Sequence, residues 1–369
     1  MDKPLAGLKV VELARILAGP WAGQLLADLG AEVVKVERPG SGDDTRHWGP
    51  PFAADGASAY FHSCNRGKSS VAIDLEAPEG QAEVRRLAAE ADVLIENFKV
   101  GGLARYGLDY ASLAALNPKL VYCSITGFGQ TGPYAHRAGY DFIIQGMGGA
   151  MSLTGEPDGA PQKSGLAYAD LFTGLYASVA ILAALRERDR SGLGAHIDMA
   201  LLDTQVAVLA NQALNWMVSG DVPTRMGNGH ANLVPYQAFA VADGEIIVAV
   251  GNDSQFERLC AVLGLEPLAR DERFRTNPGR VVNRSALIPL LEQAMLGRRL
   301  RDVADALEAA GIPAGPINAI DSVFADPQVV HRGLRIEGEA PGLASPIVID
   351  GKRQVAEAPA PRLGEPGRC

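Results

Sequence analysis

Asp170 is the residue whose setting first invites chemistry. It stands in Ala169-Asp170-Leu171-Phe172-Thr173-Gly174, at the head of a long apolar stretch, after the loop Gly155-Glu156-Pro157-Asp158-Gly159. An acid in such a place can cap a helix by accepting hydrogen bonds from its first amides. It can also act as a carboxylate nucleophile at the positive end of that helix. One side chain can do both, and the pattern alone leaves both open.

Basic side chains come second. Lys35, Arg38, Arg66, Lys68, Lys99 and Arg105 fall near predicted strand ends or in adjacent loops, where open α/β sheets bind their ligands. Singly, each reads as a solvated surface charge. Together they would suit a ligand carrying several negative charges. Third is Met226-Gly227-Asn228-Gly229-His230-Ala231-Asn232, whose glycines and asparagines predict a flexible turn, either a linker or a mobile cover over a site. The four cysteines, Cys64, Cys123, Cys260 and Cys369, are widely spaced in no metal-ligand pattern, so reduced thiols and no metal are expected.

The elements that must position these residues alternate. Strands are predicted at 8–13, 31–37, 71–74, 92–96 and 120–125, with helices at 20–29 and 79–90 between them. This is the pattern of an α/β domain with a mainly parallel, Rossmann-like sheet. The first turn, Leu17-Ala18-Gly19-Pro20-Trp21-Ala22-Gly23, lacks the glycine spacing of a dinucleotide fingerprint and argues against a nicotinamide enzyme. Residues 170–218 read as two long apolar helices joined at Gly192–Gly194. Past Pro223 a hairpin over 236–250 and helices at 254–263, 284–296 and 300–310 predict a smaller α+β domain. The organisation expected is therefore 1–222, a large α/β domain, then 223–330, a small domain, then 331–369, a segment returning to the large one.

Across 369 residues the net charge is −9, which argues against a nucleic-acid partner. The longest uncharged apolar run, Leu171 to Leu185, is about 15 residues, short of the roughly 20 that a membrane helix needs. The N-terminus enters its first strand with no signal-like segment, so a cytoplasmic protein away from membranes is expected.

Taken in order, several segments resemble the class III CoA-transferase family, which also contains the 2-methylacyl-CoA racemases. They are Leu13-Ala14-Arg15-Ile16-Leu17-Ala18-Gly19-Pro20, Leu29 to Gly40, Asn65-Arg66-Gly67-Lys68, Glu96-Asn97-Phe98, Ser124 to Gly129, Arg137-Ala138-Gly139-Tyr140-Asp141, and Ala169 to Gly174. The resemblance implies an interlocked, ring-like homodimer with Asp170 as nucleophile, forming an aspartyl anhydride and then an aspartyl-CoA thioester. It places Arg38, Lys68, Asn97, Phe98 and Arg105 at CoA-contacting positions. Tyr140, Leu17 and the loop of Gly227, Gly229 and His230 fall around the nucleophile. Coenzyme A is then a substrate, with no permanently bound cofactor.

In the racemase branch a histidine stands where this chain has Tyr140. Alpha-proton exchange needs an acid–base pair, and a tyrosine with an ordinary pKa near 10 replaces imidazole poorly. Racemization, or an inactive CoA-binding homologue, is the alternative reading. Leu17 replaces a glutamine that contacts the small acid in some formyl-CoA transferases. The chain looks most like the group that passes CoA from succinyl-CoA to dicarboxylates such as hydroxymethylglutarate or glutarate. This likeness rests on Gly42 to Phe52, Tyr122 to Gly127 and Val234 to Phe239. A second carboxylate calls for a guanidinium clamp, and Arg46 and then Arg15 are the candidates.

Overall fold

In the computed structural model, which describes residues 3–338 and 340–365, β1 (Lys9–Glu12), α1 (Ala18–Asp28) and β2 (Glu32–Glu37) form the expected βαβ start. There follow β3 (Lys68–Ala72), α2 (Pro78–Glu90), β4 (Val93–Glu96), β5 (Val121–Thr126), α3 (Asp141–Met147), α4 (Tyr168–Ser191) and β6 (Ala195–Ala200). All six strands are parallel, in the order β3-β2-β1-β4-β5-β6. The order reverses between β1 and β4, and such a switch point opens a crevice beyond the carboxyl ends of the two strands. Cys369 lies outside the described residues.

Helices cover both faces of the sheet, which explains the near-continuous apolar runs of its strands. Val10, Val93, Ile95, Val121 and Cys123 pack on one side with Ala22 and Leu26 of α1 and Ala177 and Ile181 of α4. Val11, Leu94 and Tyr122 face the other way, onto Val84 and Ala88 of α2. Neighbouring residues of one strand thus serve opposite cores.

The stretch 170–218 departs from expectation. Only α4 is a long helix; it ends at Gly192, in the left-handed region with φ 74°, and β6 then joins the sheet edge. Two short helices, Leu201–Ala207 and Ala210–Ser219, replace the second long one, and Ala210, at φ 45°, opens the second of them. At 24 residues, α4 is long and apolar enough by length and composition to cross a membrane, beyond the 15-residue run read from the sequence. Here its inner face packs on α1, so closely that a Cβ on Gly174 would lie 2.6 Å from the Ala18 carbonyl oxygen.

The chain divides into two compact units. The first holds the sheet and also takes residues 327 onward, bound through bonds such as Gly67 N to Ala358 O and Arg66 Nη1 to Leu343 O. The second comprises 151–162 and 211–326, so the division falls at 210/211 rather than 222/223. Residues 151–162 join it through nonlocal bonds, among them Arg225 Nη2 to Gly159 O at 2.7 Å. Its core lies between a three-stranded antiparallel sheet, β7 (Tyr236–Val241), β8 (Gly244–Ala249) and β9 (Ala314–Pro316), and helices α5 (Asp253–Leu263), α6 (Arg284–Met295) and α7 (Leu300–Ala309).

Candidate active site

A cavity of about 140 Å3 opens at the switch point. The loop after β1 supplies Ile16 and Leu17, the loop after β4 supplies Asn97 to Val100, and the end of β5 supplies Ile125 to Gly127. Arg137, Tyr140 and Asp170 complete much of the wall. Leu17, Asn97, Phe98, Tyr140 and Asp170 therefore line one cavity.

Asp170 is not the helix cap. Helix α4 begins at Tyr168, and its cap residue, Ala167, offers no side-chain bond. The capping acceptor is Asp141, from a segment 28 residues away: its Oδ1 accepts from the amides of Ala169 at 2.9 Å and Asp170 at 3.3 Å. Gln145 Nε2 donates to the other oxygen at 2.6 Å. Asp170 is left in the first turn as the one acid in the cavity wall among the described residues. Burial, and then the negative charge of Asp141, push its carboxyl up to about 7. Near neutral pH it is divided between acid and carboxylate, and its carboxylate is more basic than an ordinary aspartate. The sequence carried a signal for Asp141, an acid directly ahead of a helix in Gly139-Tyr140-Asp141, but not its target.

The loop beyond β1 is held from two sides. Arg15 N donates to Asn97 Oδ1 at 2.9 Å, and Asn97 Nδ2 donates to Arg15 O at 2.6 Å. The amide of Ile16 points at the buried Asp43 carboxylate, 3.3 and 3.4 Å from its oxygens. Between these anchors Ile16 takes φ 73°, a left-handed conformation that strains a β-branched residue. The side-chain amide of Asn97 thus binds backbone, and Asn97 and Phe98 both line the cavity.

Half of the expected basic patch, Lys35, Arg66 and Lys68, is internal. Lys68 is a correction: its ammonium is buried and bonded to both Glu12 oxygens at 2.9 and 2.7 Å, Pro20 O at 2.8 Å and Asn65 Oδ1 at 2.9 Å. Lys35 lies between Glu12 and Asp43 at 3.0 and 2.9 Å; burial works against its charge, but those acids and Glu37 hold its pKa raised. Arg66 pairs with Asp28 at 2.6 Å. Arg46 is a second correction. Its fork grips both oxygens of buried Glu37 at 2.8 and 2.7 Å, its guanidinium carbon lies 3.7 Å from the ring centre of Phe61, and it does not line the cavity. Arg15 is half-buried and paired with Asp44 at 2.8 Å. These cations sit at strand ends because a buried acid needs a partner there. Arg38 is exposed after β2, and Arg105 is exposed against Tyr106; neither lines the cavity.

Gly227, Gly229 and His230 belong to the second unit. Gly227, at φ 57°, donates its amide to Gly155 O. His230 Nδ1 accepts from the amides of Asn232 and Leu233, Arg284 holds the carbonyls of His230 and Ala231, and Asn232 bonds Asn211, Asn215 and Asn277. These bonds cross-link the turn to its neighbours within the second unit. Asp253, also in the second unit, is paired with Arg280 at 2.8 Å. No cluster of three or more potential metal ligands occurs among the described residues.

The model of CoA-transferase family III matches residues 5–366. The chain belongs to that family. Among its family III relatives, the succinate–glutarate CoA-transferase of Agrobacterium fabrum is 57% identical over 373 residues, covering 98% of this chain and 93% of the relative. The human succinyl-CoA:glutarate CoA-transferase is 44% identical over 369 residues, covering 98% of this chain and 84% of its own. The crystal structure of a CAIB/BAIF family protein from Brucella suis superposes with a TM-score of 0.88 at 58% identity, covering 99% and 97% of the two chains. This protein is an α/β family III CoA-transferase, and its substrates are a CoA thioester and a carboxylic acid.

Proposed function

We propose that this chain passes CoA from succinyl-CoA to glutarate or a similar dicarboxylate, with Asp170 as the covalent relay. The observation that carries the reading is Asp170 itself, the one acid lining the switch-point cavity among the described residues, with its basicity raised by burial. Its carboxylate attacks the thioester carbonyl, the C–S bond breaks, and CoA thiolate leaves a mixed anhydride. The thiolate then attacks the Asp170 acyl carbon, releasing succinate and leaving an aspartyl-CoA thioester. The acceptor carboxylate attacks that thioester and expels the thiolate, giving a second anhydride. Thiolate attack on the acceptor's own carbonyl releases the new acyl-CoA and restores Asp170.

The cavity is smaller than the roughly 300–1,000 Å3 of sites that enclose a drug-sized ligand. At about 140 Å3 it takes the acyl end, while the nucleotide lies outside it. Self-association is part of the proposal. Phe172, Leu175, Tyr176 and Val179 form an exposed apolar stripe on α4 at helical spacing, the kind of surface that a second copy covers.

The test is mass spectrometry of the protein incubated with succinyl-CoA and trapped with hydroxylamine or borohydride, beside Asp170→Ala. An adduct on the Asp170 peptide, absent from the variant, is expected. No adduct, with deuterium entering the alpha position of a 2-methylacyl-CoA, would move the protein to the racemase branch.

A further inference from the structure

We infer that Arg137 receives the distal carboxylate of the dicarboxylate, the one that is not transferred. The inference rests on the dicarboxylate reading above and names the residue that enforces it. Among the described residues two cations line the switch-point cavity, Lys99 and Arg137. Arg46 and Arg15, the candidates from sequence, are committed to Glu37 and Asp44.

Arg137 has no ion-pair partner among the described residues. Its guanidinium carbon instead lies 4.6 Å from the ring centre of Tyr134 and 5.4 Å from that of Phe128. Packing against ring faces fixes a guanidinium while leaving its in-plane N–H groups unused, and that edge matches a carboxylate in a two-bond fork. Lys99 is a point charge without that geometry, and it also lines a neighbouring cavity of about 310 Å3 that holds Glu96.

The backbone that presents Arg137 is fixed. Gly139, two residues on, packs against Gly127 at the end of β5; a Cβ on either glycine would lie within 2.6 Å of the other's Cα. Arg137 N closes the turn on Tyr134 O at 2.9 Å. The loop carrying the guanidinium is therefore seated against the strand that forms part of the cavity wall.

The test is internal competition. Succinyl-CoA is given to the full-length enzyme with equal glutarate and butyrate, and both acyl-CoA products are measured. Because one enzyme makes both, their ratio is independent of the active fraction. Arg137→Gln is expected to lower the glutarate-to-butyrate ratio roughly 10- to 100-fold, the worth of a charged hydrogen-bonded pair, while Arg137→Lys retains part of it. An unchanged ratio, whether both rates fall together or neither does, would assign Arg137 to CoA or to the surface and overturn the inference. So would a fall in the ratio for Lys99→Gln alone. A wild-type enzyme that does not favour glutarate would remove the dicarboxylate reading itself, whereas a wild-type preference kept by Arg137→Gln would remove only this residue's part.

Discussion

Asp141 binds the backbone amide of Asp170 and sets the charge that Asp170 feels: one Asp141 oxygen accepts from the Ala169 and Asp170 amides, and its negative charge helps hold the Asp170 proton. The two effects can be separated. Asp141→Asn keeps an acceptor oxygen but removes the charge, so if Asp170 is the nucleophile proposed above, the acid limb of kcat/KM is expected near pH 7 in the wild type and at lower pH in the variant. Asp141→Ala loses the cap as well, with about 1 kcal/mol of stability. A limb that stays in place in Asp141→Asn would show that another group sets it.

Asp170 also makes stability depend on pH. Its carboxyl titrates near 7 in the fold against about 4 when unfolded. The native state keeps a proton that the unfolded chain releases, so stability falls as pH rises from about 4 to about 7 and is level above that. Asp170→Asn cannot ionise. Its Tm is expected to match the wild type near pH 4 and to exceed it by pH 8, by the equivalent of a few kcal/mol. Equal Tm differences at both pH values would contradict the shift.

Arg46→Ala tests the corrected role of a residue that sequence put at the substrate. Glu37 would lose its bidentate partner inside the protein, and such a loss costs roughly 3–5 kcal/mol. Urea unfolding should register that loss, while the KM for the acceptor in the surviving folded enzyme should not change.

Gly174→Ala places a Cβ 2.6 Å from the Ala18 carbonyl oxygen and 3.0 Å from the Trp21 ring. Helix α4 must then move off α1, carrying Asp170 with it. Overpacking of this kind costs about 1–3 kcal/mol. A lower Tm is expected together with a fall in kcat larger than the change in KM.

The alternation of apolar strands and helices made the sheet legible, because both its faces are buried and the runs are dense. The boundary of the second unit was not, since residues 151–162 join it through bonds from Arg225 and Gly227 that leave no local trace. At the site, Asp170 could be read from its type and place, but its cap could not, because Asp141 reaches it across 28 residues of chain. The basic residues misled for a physical reason. A lysine that answers a buried acid and one that awaits a phosphate look alike in a sequence, and only the position of Glu12 or Glu37 tells them apart. Arg137 went unread as a ligand residue because nothing in its neighbours says that it has no acid to pair with.

Ile16 sets foldability against fit. Its left-handed backbone, imposed by Asn97 on one side and Asp43 on the other, is one that glycine would adopt without strain. A screen that rewards heat resistance alone should therefore favour Ile16→Gly, and the survivors would have lost an apolar side chain from the wall beside Asp170. At this position the conflict is visible in a single torsion angle, and a thermostable variant is the one expected to admit water beside Asp170.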